Sequence, residues 1–315
     1  MLKWSSRELT VAGVLVILWL GLAVFAPDFF SPQPLLSRLT SSAPKLLVGC
    51  GIALVILTRN IDISVGSLYA VASVAAGHAS HSAPTPAVIV AVAIVTGLCG
   101  GVINGFLVAT LRLPSIVVTL ATMVTWRESL RLGQQGVFIN LPDNSQWFSL
   151  SMVPGQWTVV LTALVILASL AWAQKNLAAG RHLHAVGSDP EAARLTGISP
   201  GRTTFSAFVL CGVLTGLAAA LNLVQSPQID PNTGRLLELE GVAAAVVAGF
   251  AVSGGRGRLF ALLPATLLLV SISPALTYLG AKPYWDKAVH GAIILAAVMA
   301  DGLGRPKQGS RSQAA

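Results

Sequence analysis

Charged residues are scarce in this chain. Only 10% of its 315 residues are charged, whereas soluble domains carry about 25%. Hydrophobic residues make up 54% of the sequence. A chain with so little charge does not cover a large surface in water, so the composition excludes an ordinary soluble domain and favours a protein that crosses a membrane several times.

Cysteine is also scarce, and its placement excludes two kinds of site. Cys50, Cys99 and Cys211 all lie in apolar runs, and none has CxxC spacing or a histidine partner. We interpret them as small buried thiols, so no disulfide framework is predicted. His182 and His184 form an HxH pair without a third ligand or a nearby acidic cluster. The sequence therefore predicts no metal site and gives little support to a membrane enzyme.

The chain lacks the GxxxxGK[ST] loop that cradles nucleotide phosphates, and the glycine-rich stretch 253–258 does not match it. No ATP site of that type is predicted. Carboxylates deep in a membrane are typical of ion-coupled carriers. Here the relevant acids lie near the ends of apolar runs: Glu128, Glu238, Glu240 and Asp286. An ion-coupled secondary carrier for a small polar solute stays open as the alternative function.

Ten apolar runs approach the roughly 20 residues that a helix needs to cross a bilayer. They are 10–27, 46–58, 63–80, 86–109, 114–132, 156–175, 205–225, 238–253, 258–279 and 284–301. The predicted architecture is an all-α polytopic membrane protein with about ten transmembrane helices. The first run follows Lys3 and Arg7, and we interpret it as a retained span, with a cleaved signal peptide as the alternative.

The net charge of +8 is best explained by membrane topology. With both termini in the cytoplasm, inner segments and span ends hold thirteen of the 20 Lys and Arg residues and outer ones hold seven. This bias agrees with the positive-inside rule, so the basic balance does not indicate nucleic-acid binding. Residues 1–302 form the predicted permease domain. Residues 303–315 lack apolar periodicity and are predicted to be a disordered cytoplasmic tail.

Small residues recur at four-residue spacing in two predicted spans. They are Gly97, Gly101 and Gly105 in one, and Gly212, Gly216 and Ala220 in the other. Such stripes allow helix backbones to approach closely, so we interpret them as packing seams, with the lining of a conduit as the alternative. Asn104 and Asn222 lie within or beside the stripes, and each needs a hydrogen-bond partner or water.

The segment RNIDISVGS (59–67) interrupts the apolar pattern between two spans. Asp62 followed by Ser64 suits the start of a helix, where a side-chain oxygen binds free backbone amides. The alternative is a broken helix that faces a polar passage. Asp62 is expected near an interface, a cavity or Arg59, because an isolated charge in a membrane is costly. Asn60, Asp62, Ser64, Asn104 and Asn222 are therefore candidate translocation-path residues.

Residues 176–204 are the longest polar stretch, and they contain the signals of one short helix. Asp189 suits the N-cap, Pro190 the first turn, Glu191 the positive end of the helix dipole and Gly197 a left-handed stop. About seven helical residues are marginal in water on their own. Two alternatives stay open: the helix docks on a partner through its small face, or it lies on its own protein's surface.

This polar stretch resembles the "EAA" coupling loop of ABC-importer permeases. In that pattern Glu-Ala-Ala is followed by three residues and then Gly, as in Glu191-Ala192-Ala193 and Gly197. Residues 40–302 as a whole resemble the ribose-type sugar permeases. The matching segments are LTRNIDISVGSL (57–68), GGVINGFLVATLRLPSIVVTLAT (100–122) and LEGVAAAVVAGFAVSGGRG (239–257). The last departs from the family, which more often has Gly-Gly-Thr-Ser where this chain has Ala248-Gly249-Phe250-Ala251.

The resemblance implies a permease subunit of an ABC importer in the bacterial inner membrane. Two permeases, identical or paralogous, would form one conduit. A separate cytosolic ATPase would bind ATP and Mg²⁺, so this chain would carry neither a cofactor nor catalytic residues. The ATPase would dock on a coupling helix that includes Asp189, Pro190, Glu191, Ala192, Ala193, Arg194 and Gly197.

The resemblance also implies an extracytoplasmic sugar-binding protein. That protein would face residues 125–148, whose charged side chains could steer docking: Arg127, Glu128, Arg131 and Asp143. The sequences of these motifs most resemble those of permeases for rhamnose-like deoxyhexoses and for autoinducer-2. The sugar itself, and the choice between a homodimer and a heterodimer, stay open.

Overall fold

The computed structural model describes residues 6–226 and 228–280, together with isolated helical positions between 285 and 299. The side chains of residues 6, 7 and 143–145 are not described. The described chain is almost entirely helical. Its α-helices are α1 (Ser6–Phe25), α2 (Pro32–Leu57), α3 (Val65–Ser82), α4 (Pro86–Gly105), α5 (Ser115–Gln134), α6 (Met152–Asn176), α7 (Ala178–Ser188), α8 (Pro190–Leu195), α9 (Pro200–Leu223), α10 (Leu237–Val247) and α11 (Leu262–Tyr278).

Each of the first nine predicted spans overlaps a helix. Six of these helices are long and apolar enough to cross a membrane: α1, α2, α4 with its continuation to Thr110, α6, α9, and α11 with its preceding turn. The other three differ because α3 carries His78 and His81, α5 carries three charged residues in its last turns, and α10 has only 11 residues. The span at 284–301 and the tail at 303–315 lie outside the continuously described chain.

Helix α2 begins at Pro32, well before the predicted start at residue 46. Pro44 and the polar residues before it lie inside this helix. The structure keeps this stretch helical, and the hydroxyls of Thr40 and Ser42 donate to the carbonyls of Leu36 and Leu39 at 2.7 Å, so these polar groups are satisfied within the helix. Polar side chains that bond to their own helix do not have to leave it.

Helix α10 is shorter than the predicted span at 238–253 and ends at Val247. Gly249 then takes a left-handed backbone conformation (φ +91°), and the fully buried ring of Phe250 packs where a side chain on Gly257 would sit. These contacts turn the chain into a compact loop. The departure from the family pattern at 248–251 therefore coincides with the end of the helix.

The first turn of α10 contacts the middle of α2. Glu240 forms a 2.7 Å salt bridge with Lys45. Lys45 lies 12 residues from Leu57, about 18 Å along α2 and close to its midpoint. Glu240 lies in the first turn of α10, close to the predicted span end, and its partner Lys45 lies near the middle of α2.

Helices α4 and α9 meet along a closely packed seam. A Cβ added to Gly97 would lie 2.2 Å from the carbonyl oxygen of Gly212, and one added to Gly216 would lie 2.2 Å from that of Ala93. Only glycine fits such contacts. The structure thus confirms the packing-seam interpretation of the two glycine stripes.

Two of the non-helical segments in the described chain lie next to α3. Residues 58–64 join α2 to α3, and residues 224–236 join α9 to α10. The second segment contains β2 (Gln228–Ile229), which pairs antiparallel with β1 (Ile139–Asn140). Ile229 packs against Gly77 near the end of α3, whereas Gly234 packs against Gly66 near its beginning. The segment therefore runs along most of α3 before α10 starts.

Candidate functional site

Helix α8 is built by the local signals that the sequence contains. The Asp189 carboxylate accepts the backbone amides of Glu191 (2.9 Å) and Ala192 (3.1 Å). Pro190 occupies the first turn, and Gly197 ends the segment with φ +85°. The N-cap, the proline start and the left-handed stop are therefore confirmed as local structure. The helix has six residues, one fewer than expected.

The outer face of α8 carries an ion pair. The guanidinium of Arg194 donates to the Glu191 carboxylate, with its Nε 3.1 Å from both oxygens. This contact and the positive charge of Arg194 lower the pKa of Glu191 below its ordinary value. Both side chains are largely exposed, so the pair orders the surface of the helix without burying it.

The two alanines of the motif face different ways. Ala193 is buried against the rest of the chain, whereas Ala192 is exposed. Leu195, at the end of the helix, is 78% exposed although it is apolar. One side of α8 therefore lies on its own protein, and the other side presents a small residue, an ion pair and an unpacked leucine.

The sequence analysis did not foresee α7, which precedes α8 directly. Leu183 and Val186 are buried on one face of this helix, three residues apart. Gly180 and Gly187 are buried with them, so the helix is amphipathic, and this pattern is a sequence signal that could have predicted it. Gly187 at its end packs so closely that an added Cβ would lie 1.7 Å from the carbonyl oxygen of Leu57. Helix α7 therefore anchors α8 to the end of α2.

Arg59, in the α2–α3 connection, strengthens this anchor. Its Nε donates to the carbonyl of Gly187 at 2.7 Å, and its Nη2 donates to the carbonyl of Ser188 at 2.6 Å. Both carbonyls immediately precede Asp189, the N-cap of α8. The amide of Gly255 also donates to Leu57 at 3.0 Å, so the 251–257 loop closes the same junction.

A cavity of about 960 Å³ lies beside α8. Its lining includes Glu191 from α8, Thr204 from α9, Arg112 and Ser115 around the α4–α5 connection, and Asn60 from the α2–α3 connection. Arg112 has a left-handed backbone (φ +57°). The cavity thus brings the polar segment predicted at 176–204 together with one candidate path residue.

Three other candidate path residues form one buried network. The Asp62 carboxylate accepts the Ser64 amide at 2.9 Å and the Ser64 hydroxyl at 2.6 Å. Asn104 donates to the Ser64 hydroxyl oxygen at 2.7 Å. Asp62 is 2% exposed, and Ser64 and Asn104 are fully buried. The Asn104 carbonyl oxygen has no hydrogen-bond partner among the described residues.

The structure tests two expectations about Asp62. Arg59 does not lie in the Asp62 network, because its guanidinium binds the end of α7 instead. Asp62 holds the turn that leads into α3 and binds no amide of the first helical residues, so it is not a simple N-cap. The carboxylate is stabilised by local donors and by its link to α4.

The remaining two path residues lie apart from this network. Asn60 donates to the carbonyl of Thr58 at 2.8 Å and lines the cavity. Asn222 lies near the end of α9, 14 residues beyond Phe208, which packs beside Gly105. That spacing corresponds to about 20 Å along the helix. The structure therefore does not bring Asn222 to the Asp62 network.

The HxH pair does not form a metal-type cluster in the described part of the chain, where no three His, Cys, Asp or Glu side chains converge. The two nitrogens of His184 lie 2.9 Å from the carbonyl oxygen of Gly255 and 3.2 Å from the amide nitrogen of Gln174. Gln174 also bonds to Gly257 and Leu259. His184 therefore helps to fix the 251–257 loop.

Comparison with known proteins identifies the framework around this site. A family model described as the permease component of branched-chain amino acid transport systems matches residues 35–298. The chain belongs to this permease family. It is therefore a transport subunit, and with six apolar helices it is a multi-pass protein of the bacterial inner membrane.

Individual relatives cover almost the whole chain. The autoinducer 2 import system permease protein LsrC of Enterobacter sp. (strain 638) is 31% identical over 299 residues, covering 95% of this chain and 87% of that protein. LsrC of Klebsiella pneumoniae is 33% identical over 303 residues, again covering 95% and 87%. The probable ABC transporter permease y4mJ of Sinorhizobium fredii is 30% identical over 306 residues, covering 96% and 91%. The resemblance to ABC sugar-importer permeases stated from the sequence is thereby confirmed.

Proposed function

We propose that this chain is the membrane-spanning permease of an ATP-driven importer for a monosaccharide or a related small sugar. The observation that carries the proposal is the similarity, along nearly the whole chain, to permeases named for autoinducer 2 import. The family description names branched-chain amino acids instead. The motifs at 57–68, 100–122 and 239–257 favour sugars as the transported class. Because leucine is a branched-chain amino acid, its uptake distinguishes the two classes.

A separate cytosolic ATPase supplies the energy in this proposal and carries ATP and Mg²⁺. Helix α8 is its docking element. Three features support this role: the helix is capped by Asp189 and Gly197, it is anchored to the membrane helices through α7, and it exposes Ala192, the Glu191–Arg194 pair and Leu195. A short helix fixed at one face transmits movement as a rigid body, because its own hydrogen bonds need not change.

The proposed topology has ten spans with both termini in the cytoplasm. The charge bias of the connecting segments supports this orientation. It places α7, α8, Arg59 and the 251–257 loop on the inner face, in agreement with their mutual contacts. A second permease, identical or paralogous, completes the conduit.

The opposite face is proposed to receive an extracytoplasmic binding protein. Of the charged residues expected at that rim, Glu128 and Arg131 form an exposed ion pair. Arg127 instead donates to the carbonyl of Thr233 at 2.9 Å and so braces the 224–236 segment. The rim contact is therefore assigned to the 128–131 pair, and the side chain of Asp143 lies outside the described part.

Solute is proposed to leave near the cavity beside α8. Asn60 lines that cavity, and the Asp62–Ser64–Asn104 network lies a few residues further along the α2–α3 connection. The cavity is polar on several sides and adjoins the proposed ATPase dock. An exit at this position would couple the ATPase movement to release over a short distance.

Reconstitution in vesicles tests the proposal. The chain is purified with its co-expressed ATPase and binding protein, and uptake of autoinducer-2, rhamnose, ribose and leucine is measured with and without ATP. We expect ATP-dependent uptake of a sugar-like solute. Uptake driven by a proton or sodium gradient without ATP would overturn the proposal in favour of a secondary carrier, and leucine uptake would overturn the sugar assignment.

A variant pair tests the docking role of α8. Gly197→Pro replaces a residue at φ +85° with one that cannot adopt this angle, so we expect loss of ATPase binding and of ATP-dependent uptake. Gly280→Pro is the control, because Gly280 is also left-handed (φ +74°) with open surroundings among the described residues, and it follows α11 away from both α8 and residues 125–148. Full uptake in a folded Gly197→Pro protein would refute the docking role.

A further inference from the structure

We propose that Arg59 is the positioning residue that transmits the movement of α8 to the α3, α4 and α5 helices. The inference rests on the proposed docking role of α8. It assigns to one residue of the α2–α3 connection a function that neither the motif nor the family assignment gives it. Three groups of contacts support the inference. The first joins Arg59 to the base of α8, the second joins the α2–α3 connection to the membrane helices, and the third packs closely around Arg59.

The first group joins Arg59 to the base of α8. Its guanidinium bridges the carbonyls of Gly187 and Ser188, the last two residues of α7. These carbonyls lie at the negative end of the α7 dipole, where a cation is favoured. Asp189 follows at once and caps α8. A displacement of α8 therefore reaches the guanidinium through two peptide units.

The second group joins the same connection to the membrane helices. The Ile61 amide lies 3.3 Å from the Ser115 hydroxyl oxygen at the start of α5, and the Thr119 hydroxyl lies 3.4 Å from the Ile61 carbonyl. Further along the connection, the Asp62 carboxylate accepts the Ser64 hydroxyl, and the Ser64 hydroxyl oxygen accepts a hydrogen bond from Asn104 of α4. Within five residues of Arg59, the connection thus touches α3, α4 and α5.

The third group makes this path stiff. Arg59 has a left-handed backbone (φ +64°), which a non-glycine residue adopts only when its surroundings require it. Gly254 packs against its side chain, and Gly187 lies against Leu57 with no room for a Cβ. Stiff, close-packed elements change between discrete arrangements and do not deform gradually. The junction therefore moves with α8 as one piece.

A merely structural arginine would have a different consequence from a transmitting one. Removing a structural residue lowers the amount of folded protein and lowers transport and ATP hydrolysis together. Removing a transmitting residue leaves ATPase binding and hydrolysis in place but lowers the amount of solute moved per ATP. The ratio of uptake to hydrolysis separates the two roles.

The experiment uses the full chain with its co-purified ATPase and binding protein in vesicles. Arg59→Asn removes the guanidinium but tolerates the left-handed backbone. Arg59→Lys keeps the charge but lacks the planar fork that reaches both carbonyls. Arg181→Asn is the matched control, because Arg181 is an exposed arginine of α7 whose guanidinium donates to the carbonyl of Asn176 at the end of α6 and contacts neither α8 nor the α2–α3 connection among the hydrogen bonds of the described residues. Uptake uses whichever of autoinducer-2, rhamnose or ribose the wild type transports.

In Arg59→Asn we expect hydrolysis within twofold of the wild type and at least a tenfold fall in uptake per ATP. Arg59→Lys should give an intermediate ratio, and Arg181→Asn the wild-type ratio. An unchanged ratio in Arg59→Asn or Arg59→Lys would overturn the inference, and so would loss of ATPase binding in Arg59→Asn, which would make Arg59 part of the dock. A wild type without ATP-dependent uptake would instead refute the proposed function.

Discussion

Asp62 and Asp189 use the same local chemistry in opposite surroundings. Each carboxylate accepts the backbone amide of the residue two positions later, at 2.9 Å. Asp62 is almost completely buried and belongs to a network that reaches α4, whereas Asp189 is exposed and holds only the first turn of α8. The same carboxylate–amide hydrogen bond therefore stabilises only local structure at exposed Asp189, whereas at buried Asp62 it is part of a tertiary contact.

The largest effect is expected at the buried carboxylate. Asp62→Ala leaves the Ser64 amide and hydroxyl without their acceptor, and buried unsatisfied donors cost about 1–3 kcal/mol each, so a loss of about 3 kcal/mol is expected. Thermal unfolding in detergent measures this. Asp62→Asn keeps one acceptor oxygen and should lose less. Equal unfolding temperatures for Asp62→Ala and the wild type would show that the network contributes nothing to stability.

A smaller, local effect is expected at the exposed carboxylate. Asp189→Ala removes the N-cap of α8 and should cost about 1 kcal/mol of helix stability, with the unfolding temperature of the whole protein unchanged. Faster hydrogen exchange at the Glu191 and Ala192 amides, together with weaker ATPase binding, checks this. Asp189→Asn should restore both, since asparagine caps equally well. A global loss of stability in Asp189→Ala would break the contrast with Asp62.

The smallest effect concerns pH. Arg194 lowers the pKa of Glu191, so their pair persists above the ordinary glutamate value of 4.5 and is lost only as the pH falls through the lowered value. ATPase binding should therefore not change through Glu191 between pH 7 and pH 5. Glu191→Gln should remove any decline seen at lower pH, while Glu128→Gln, which breaks the comparable pair with Arg131, should not. A decline between pH 7 and 5 that Glu191→Gln abolishes would contradict this pKa.

The same contrast explains how much could be predicted from the sequence. Helix α8 was predictable because Asp189, Pro190 and Gly197 act on neighbouring residues. The Asp62 network was not, because Asn104 lies 40 positions from Ser64 and only the tertiary fold brings the two side chains together. The sequence could name these residues as polar and unusual, but not as mutual partners.

The contact between two helices could be predicted from the sequence, whereas the end of one helix could not. The glycine stripes of α4 and α9 predicted a seam correctly, because small residues at helical spacing let two helix backbones meet closely in a membrane. Hydropathy alone extended α10 to residue 253, because it does not register that Phe250 is buried within a loop. Helix α7 was missed although its sequence is amphipathic, because the polar stretch 176–204 was interpreted as a loop around one short helix.

Leu195 has a consequence for the cell. A leucine this exposed at the end of α8 would be shielded in a complete transporter and open to water in a solitary subunit. Copies made in excess of the other components would expose this hydrophobic side chain, and chaperones and proteases recognise such exposed residues. The abundance of this protein should then follow that of its associates, even when its own synthesis is constant.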